Sequence, residues 1–208
     1  GDVILPLPVD PRYTVDIDTP NDWKRAEWLV RSGGLEMVFP GHQPRPIPER
    51  IELLVLDFDG VLTDNRVFVD QDGREMVAAY RSDSLGLGML RAATGIEALV
   101  ISKEVNPVVA ARCKKMNIPY IQGIDDKPAA LTRALAERRI PGERAVFIGN
   151  DLNDVPCFPL VGWAVVPADA QTGALRAADF VLSRKGGHGA VRELCELLMQ
   201  ETVEAGKP

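Results

Sequence analysis

Apolar residues in the first fifty positions are scattered among prolines, whereas from Ile51 onward they gather into short runs separated by stretches of helical spacing. Residues 51–56, apolar except at Glu52, have the pattern of a strand buried on both faces of a parallel sheet. Residues 66–69 and 75–80 flank Asp70-Gln71-Asp72-Gly73, which predicts a β-hairpin with a glycine-containing turn. The pattern then predicts helix 84–94, strand 96–101, helix 105–116, strand 119–121, helix 127–138 and strand 145–149. Helix 152–158, strand 161–166, a short helix 170–177, strand 179–182 and helix 188–203 follow. Such alternation implies an α/β fold, a doubly wound parallel sheet with helices on both faces and an inserted hairpin.

The first fifty residues read differently. One helix is predicted over 22–31, with Asp18-Thr19-Pro20-Asn21 as its start signal. Trp23, Ala26, Leu29 and Val30 fall roughly on one face of it. The run from Pro40 to Pro48 reads as a linker. One helix does not make a core, so the domain is expected over 51–208.

Charge and composition narrow the partners. A net charge of −6 argues against nucleic acid or an anionic membrane. The apolar runs are strand-sized, so no membrane span is expected. Cys113, Cys157 and Cys195 are far apart and odd in number, which suits a reducing compartment rather than a disulfide framework. Gly1 to Pro8 lacks the basic region and the cleavage site of a signal peptide, and the expected location is cytoplasmic.

Sites in doubly wound sheets lie beyond the carboxyl ends of the strands. Asp57-Phe58-Asp59-Gly60-Val61-Leu62-Thr63-Asp64 follows the first strand there, and Ser102-Lys103-Glu104 the second. Lys127 opens a later helix, and Gly149-Asn150-Asp151-Leu152-Asn153-Asp154 follows the next strand. Folding brings carboxylates, a hydroxyl and an ammonium to one sheet edge. Grouped carboxylates call for a hard cation such as Mg²⁺, and a carboxylate nucleophile beside it suits phosphoryl transfer. Asp57-x-Asp59-Gly60 alone is equally a strand-end turn, and Ser102 or Lys127 alone a helix cap or a solvated lysine. Asp70-x-Asp72-Gly73 reads as a turn rather than a metal loop. Gly186-Gly187-His188-Gly189 lacks the lysine-serine pair of a nucleotide-phosphate loop.

Taken in order, these four segments resemble the motifs of the haloacid dehalogenase superfamily, over essentially all of residues 51–204. The resemblance implies a Rossmann-like core, Asp57 as nucleophile and Asp59 as general acid and base. It implies Gly60, Ser102, Lys127 and Asn150 around the phosphate. It further implies Mg²⁺ on Asp57, the Asp59 carbonyl and Asp151, with Asp154 supporting the site. The gaps between motifs are too short for a cap domain. The hairpin, Ser102-Lys103-Glu104 and the Gly186–Glu193 segment look like two capless groups. These are the tetrameric octulosonate 8-phosphate phosphatases and the C-terminal domain of bifunctional acylneuraminate cytidylyltransferases. Val15-Asp16-Ile17-Asp18-Thr19-Pro20 with Trp23 resembles the end of the transferase domain of the latter, placed over residues 1–50. The resemblance implies a sugar acid phosphate as substrate and a homotetramer in which a neighbour's hairpin and C-terminal tail cover the site. Lys103, Arg81 and Arg192 are then candidates for substrate binding, with Arg184 and Lys185 as further cations. A rival expectation is a tetramerisation module whose phosphatase site is weak.

Overall fold

The computed structural model describes residues 17–31 and 43–205. Two compact units divide the chain, at 1–41 and 42–208. The first contributes helix α1 (Pro20–Arg31). Its start is a reciprocal cap: the Thr19 hydroxyl donates to Asp22 Oδ2 at 2.6 Å and accepts the Asp22 amide at 3.3 Å. Trp23 and Trp28 are exposed on this helix. The Leu29 and Val30 side chains, Val15-Asp16 and most of the proline run lie outside the described residues.

The second unit is a three-layer α/β domain. Its elements are β1 (Leu53–Leu56), the hairpin β2 (Thr63–Val69) and β3 (Glu75–Ala79), α2 (Arg81–Thr94) and β4 (Glu97–Ile101). They continue as α3 (Pro107–Met116), β5 (Tyr120–Ile121), α4 (Lys127–Arg138) and β6 (Ala145–Ile148). The last are β7 (Trp163–Val166), α5 (Thr172–Ala177), β8 (Phe180–Val181) and α6 (Ala190–Ala205). The sheet is parallel and ordered β5-β4-β1-β6-β7-β8, with β2 and β3 forming a separate antiparallel pair. β1 sits between β4 and β6, Leu54 lying opposite Ala98 on one side and Val146 on the other.

Strand alternation divides the core. Leu54 and Leu56 join Leu87 and Leu90 of α2, Val109 of α3 and Leu194 and Leu198 of α6. Leu53 and Val55 join Leu131 and Leu135 of α4 and Ala174 of α5 on the opposite face. All four β1 side chains are fully buried, each contributing about 1.5–3 kcal/mol. The sequence pattern gave the sheet and its order of elements. The predicted α-helix over 152–158 is instead a 3-10 turn, Val155–Leu160, because Pro156 and Pro159 have no amide to donate.

Residues 43–50, within or just after the predicted linker, are fastened to this domain. The Arg45 guanidinium donates to both Asp179 oxygens, at 2.7 to 3.1 Å, and to the Val161 and Phe158 carbonyls. Asp179 also accepts the Arg45 and Ala164 amides, at 2.8 and 2.7 Å. Ile47 packs against the core.

Candidate active site

β1, β4 and β6 end side by side, and the loops leaving them carry the chemistry. The Asp57 amide donates to Ile148 O at 2.9 Å, continuing the ladder one residue past β1. That bond fixes where the Asp57 side chain starts. On the far side of the loop after β6, α4 opens with Lys127, fully buried, and is capped by Asp126, whose carboxylate accepts the Ala129 amide at 2.9 Å.

The Lys127 ammonium lies 2.7 Å from Asp57 Oδ1 and 2.6 Å from Asp154 Oδ1. Burial alone would lower the lysine pKa, but the Asp57 and Asp154 charges reverse this and hold it above its usual range. Burial, reinforced by the Asp154 charge and opposed by Lys127, pushes the Asp57 carboxyl up to about 7. Asp154 spends its second oxygen on the Asn150 and Asp151 amides, at 2.9 and 3.1 Å. It therefore shapes the loop and pairs the lysine, and both its oxygens are engaged away from a cation.

Asp59 stands at the wall of a cleft of about 340 Å³ that also touches Asp57, Asn65, Asn150 and Asp151. Burial raises its carboxyl pKa, against a 3.3 Å hydrogen bond donated by the Thr63 hydroxyl. A raised carboxyl at a cleft wall suits proton transfer. Thr63 was quoted in the sequence motif without a role. Here it also accepts the Gly60 amide at 3.3 Å, so it holds both the loop and the Asp59 carboxyl.

Gly60 has φ +78°, and a Cβ there would lie 1.9 Å from one end of the Asn150 side-chain amide. Only glycine lets that side chain come so close. The amide orientation that satisfies its surroundings directs the nitrogen to Asp59 O at 2.9 Å and Asp57 Oδ2 at 3.3 Å. The glycine segment walls the same loop: Gly187, φ +65°, donates to Val61 O at 3.0 Å, and a Cβ on it would strike Thr63 and Asp64 backbone.

Comparison with known proteins fits this geometry. Residues 101–194 match the family described as haloacid dehalogenase-like hydrolase. The 3-deoxy-D-manno-octulosonate 8-phosphate phosphatase KdsC of Escherichia coli K12 is 36% identical over 152 residues, 73% of this chain and 80% of that protein. The chain belongs to the haloacid dehalogenase-like hydrolases. Among them it is a phosphatase related to KdsC. N-acylneuraminate cytidylyltransferase A of Danio rerio is 32% identical over 193 residues, 91% of this chain. This chain spans only 43% of that relative's length. A solved octulosonate 8-phosphate phosphatase from Moraxella catarrhalis, in complex with magnesium, phosphate and KDO, superposes with TM-score 0.71 at 31% identity. That match covers 74% of this chain and 89% of the other.

The remaining predicted residues of this phosphatase are placed differently from one another. Ser102 is buried after β4, its hydroxyl accepting the Glu104 amide at 3.0 Å. Lys103 is half-exposed, 4.0 Å from Asp125. Arg81 opens α2 at the surface. Arg192 is not brought to the cleft: its guanidinium bonds Glu196 at 2.7 Å and its stem lies over Gly86 of α2. The segment 186–189 packs against its own chain's loop after β1, and Arg192 faces α2 because α6 must bury that side. Asp151 reaches the cleft, but its Oδ1 accepts the Leu152 amide at 2.6 Å.

A magnesium site is tested by the chemistry of its donors. Among the described residues no three Asp, Glu, His or Cys side chains form a ligand cluster. Asp57 Oδ2 and the Asp59 carbonyl do converge, both within 3.3 Å of the Asn150 amide, and Asp151 lines the same cleft; a hard cation accepts carbonyl as well as carboxylate oxygen. The residues fit such an ion.

Proposed function

We propose that this phosphatase hydrolyses the phosphomonoester of a 2-keto-3-deoxy sugar acid, of the sialic acid 9-phosphate type, with Mg²⁺. The carrying observation is the Asp57 carboxylate, fixed at the end of the central strand by Lys127 with Asp59 two residues on. Asp57 attacks phosphorus in line, forming an aspartyl-phosphate as the sugar alkoxide leaves. Asp59, its carboxyl pKa raised by burial, serves as the acid that gives a proton to that alkoxide. The resulting carboxylate then takes a proton from the water that cleaves the acyl-phosphate. Lys127 keeps Asp57 ionised and, with Ser102, Gly60 and Asn150, cradles phosphoryl oxygens. Asp57, the Asp59 carbonyl and an oxygen from the loop after β6 would hold Mg²⁺, which supplies charge neutralisation on the transferring group.

The sugar acid is supported by the names of the relatives, since both act in keto-sugar acid chemistry. Relatedness to the cytidylyltransferase further supports placing residues 1–50 at the end of a transferase domain. Exposed Val67, Phe68 and Met76 on the hairpin support a homotetramer in which neighbours cover the uncapped cleft, with Lys103 and Arg81 as candidate contacts to the substrate. Among the described residues no helix is long and apolar enough to cross a membrane, and we propose a cytoplasmic enzyme.

Phosphate release is to be measured from sialic, deaminated-sialic and octulosonic acid phosphates, in Mg²⁺ and in EDTA. Turnover of one of them that needs Mg²⁺ and disappears in Asp57→Asn is expected. Wild-type release no faster than Asp57→Asn across all three would sink the reading and leave an oligomerisation module.

A further inference from the structure

The hairpin leaves the loop after β1 through an irregular stretch of β2. Thr63 pairs with Ala79 and Val67 with Val77, so Asp64, Asn65 and Arg66 stand opposite Ala78 alone. Extra residues of this kind bend a strand and re-aim a side chain, and they gather beside active sites. Here the bend is held in two ways. Arg66 donates its Nε to Asp64 Oδ2 at 2.8 Å and its amide to Asp64 Oδ1 at 3.3 Å, closing the stretch across Asn65. The Asn65 backbone amide donates to the Thr63 hydroxyl oxygen at 3.4 Å, and that hydroxyl is the one bonded to Asp59 at 3.3 Å. Asn65 is therefore tied to the acid through a single shared group.

Asn65 is exposed and lines the cleft together with Asp57, Asp59 and the loop 150–153. Its φ is +62°, a left-handed value. Glycine, asparagine and aspartate take that region most readily, so the options at this position are few. Glycine would give the bend and no contact. Aspartate would set a further negative charge beside a phosphate dianion. Asparagine gives the bend together with a neutral amide, whose oxygen accepts and whose nitrogen donates. A substrate hydroxyl is the group that answers both.

The acid decides which hydroxyl. Asp59 protonates the leaving oxygen, so that oxygen lies at Asp59, and the substrate carbons continue from there into the part of the cleft that Asn65 lines. We infer that Asn65 is a specificity-determining residue, hydrogen-bonding the hydroxyl on the carbon next to the phosphoester carbon. The inference rests on the sugar acid phosphate reading above and deepens it. Such a substrate ends in a polyol chain, and its phosphoester carbon is followed by one that bears a hydroxyl. A phosphate on a simple alkyl alcohol offers the amide nothing.

The test compares kcat/KM, in Mg²⁺, for the sugar acid phosphate that turns over and for its analogue deoxygenated at that one carbon. Wild type is expected to prefer the hydroxylated substrate by about tenfold, the worth of one neutral hydrogen bond. Asn65→Gly keeps the left-handed bend and removes the amide, and its preference is expected to shrink to within about twofold. An equal fall on both substrates, with the preference left at its wild-type value, would show that residue 65 acts only through the bend and Asp59. The specificity role then fails while the phosphatase reading stands. A wild type that turns both substrates over equally well overturns the role in the same way. If none of the sugar acid phosphates turns over, the functional reading itself falls and this inference with it.

Discussion

Asp83 shows what one side chain does beyond its own helix. The sequence pattern predicts α2 from residue 84. The helix begins at Arg81 instead, with Tyr80 as an N-cap that makes no side-chain bond. Asp83 is spent elsewhere: its Oδ1 accepts the Arg192 amide at 2.9 Å, capping α6 from the neighbouring helix. Its Oδ2 is buried with no hydrogen-bond partner among the described residues. Burial raises this carboxyl from 3.8 to about 6, against the Arg192 amide and the charges of Arg112, Arg184 and His188. The native state therefore holds a proton that the unfolded chain releases between those values, so stability falls as pH rises through that window. Asp83→Asn keeps the acceptor and removes the charge. Denaturant melts between about pH 4 and pH 7 should show the wild type losing on the order of 2 kcal/mol relative to Asp83→Asn. Parallel curves for the two proteins would show that Asp83 is ionised at little cost.

Among elements, the sheet was legible because each strand is a short apolar run beside a capped helix, and the nucleophile loop because its residues follow those runs directly. Lys127 was placed at the first residue of α4, where it stands. The loop after β6 was less legible, since Asn150 and Asp151 are adjacent and the fold alone shows that Asn150 is buried beside Asp57 while Asp151 lines the cleft. Arg45 was hidden for another reason: proline-rich surroundings read as a linker, and its partner Asp179 is 134 residues away. The hairpin carries a prediction at this scale. Val67, Phe68 and Met76 are each at least half exposed, more apolar surface than an isolated two-stranded ribbon keeps in water. Phe68→Lys with Met76→Lys should reduce the sedimenting mass to that of one chain and lower kcat/KM, with helix content unchanged. Wild-type protein that already sediments as a monomer would refute the covered cleft.

For the molecule as a whole, the domain boundary and the catalytic unit are tied by the Arg45–Asp179 clamp. Asp179 is buried and receives five donor contacts from Arg45 and Ala164. Arg45→Ala leaves that carboxylate short of its cation, and a loss of about 2–3 kcal/mol is expected, a Tm lower by roughly 5–10 °C. A chain shortened to residues 42–208 keeps the clamp and should melt and turn over as the longer one does. A fall in Tm on that truncation comparable to Arg45→Ala would show that the first unit also stabilises the second.

The strand order has a bearing on how the chain is made. β1 pairs with β4 on one side and β6 on the other, and β7 and β8 then extend the second side outward. On a ribosome, β1 and β4 can pair as soon as Ile101 has emerged, while the opposite edge of β1 waits for Ala145. The amide that seats Asp57 finds its carbonyl, Ile148, only then. A nascent chain paused in that interval carries four fully apolar residues, Leu53–Leu56, on an open strand edge. Translational pausing there is where two growing chains would be most prone to pair with each other.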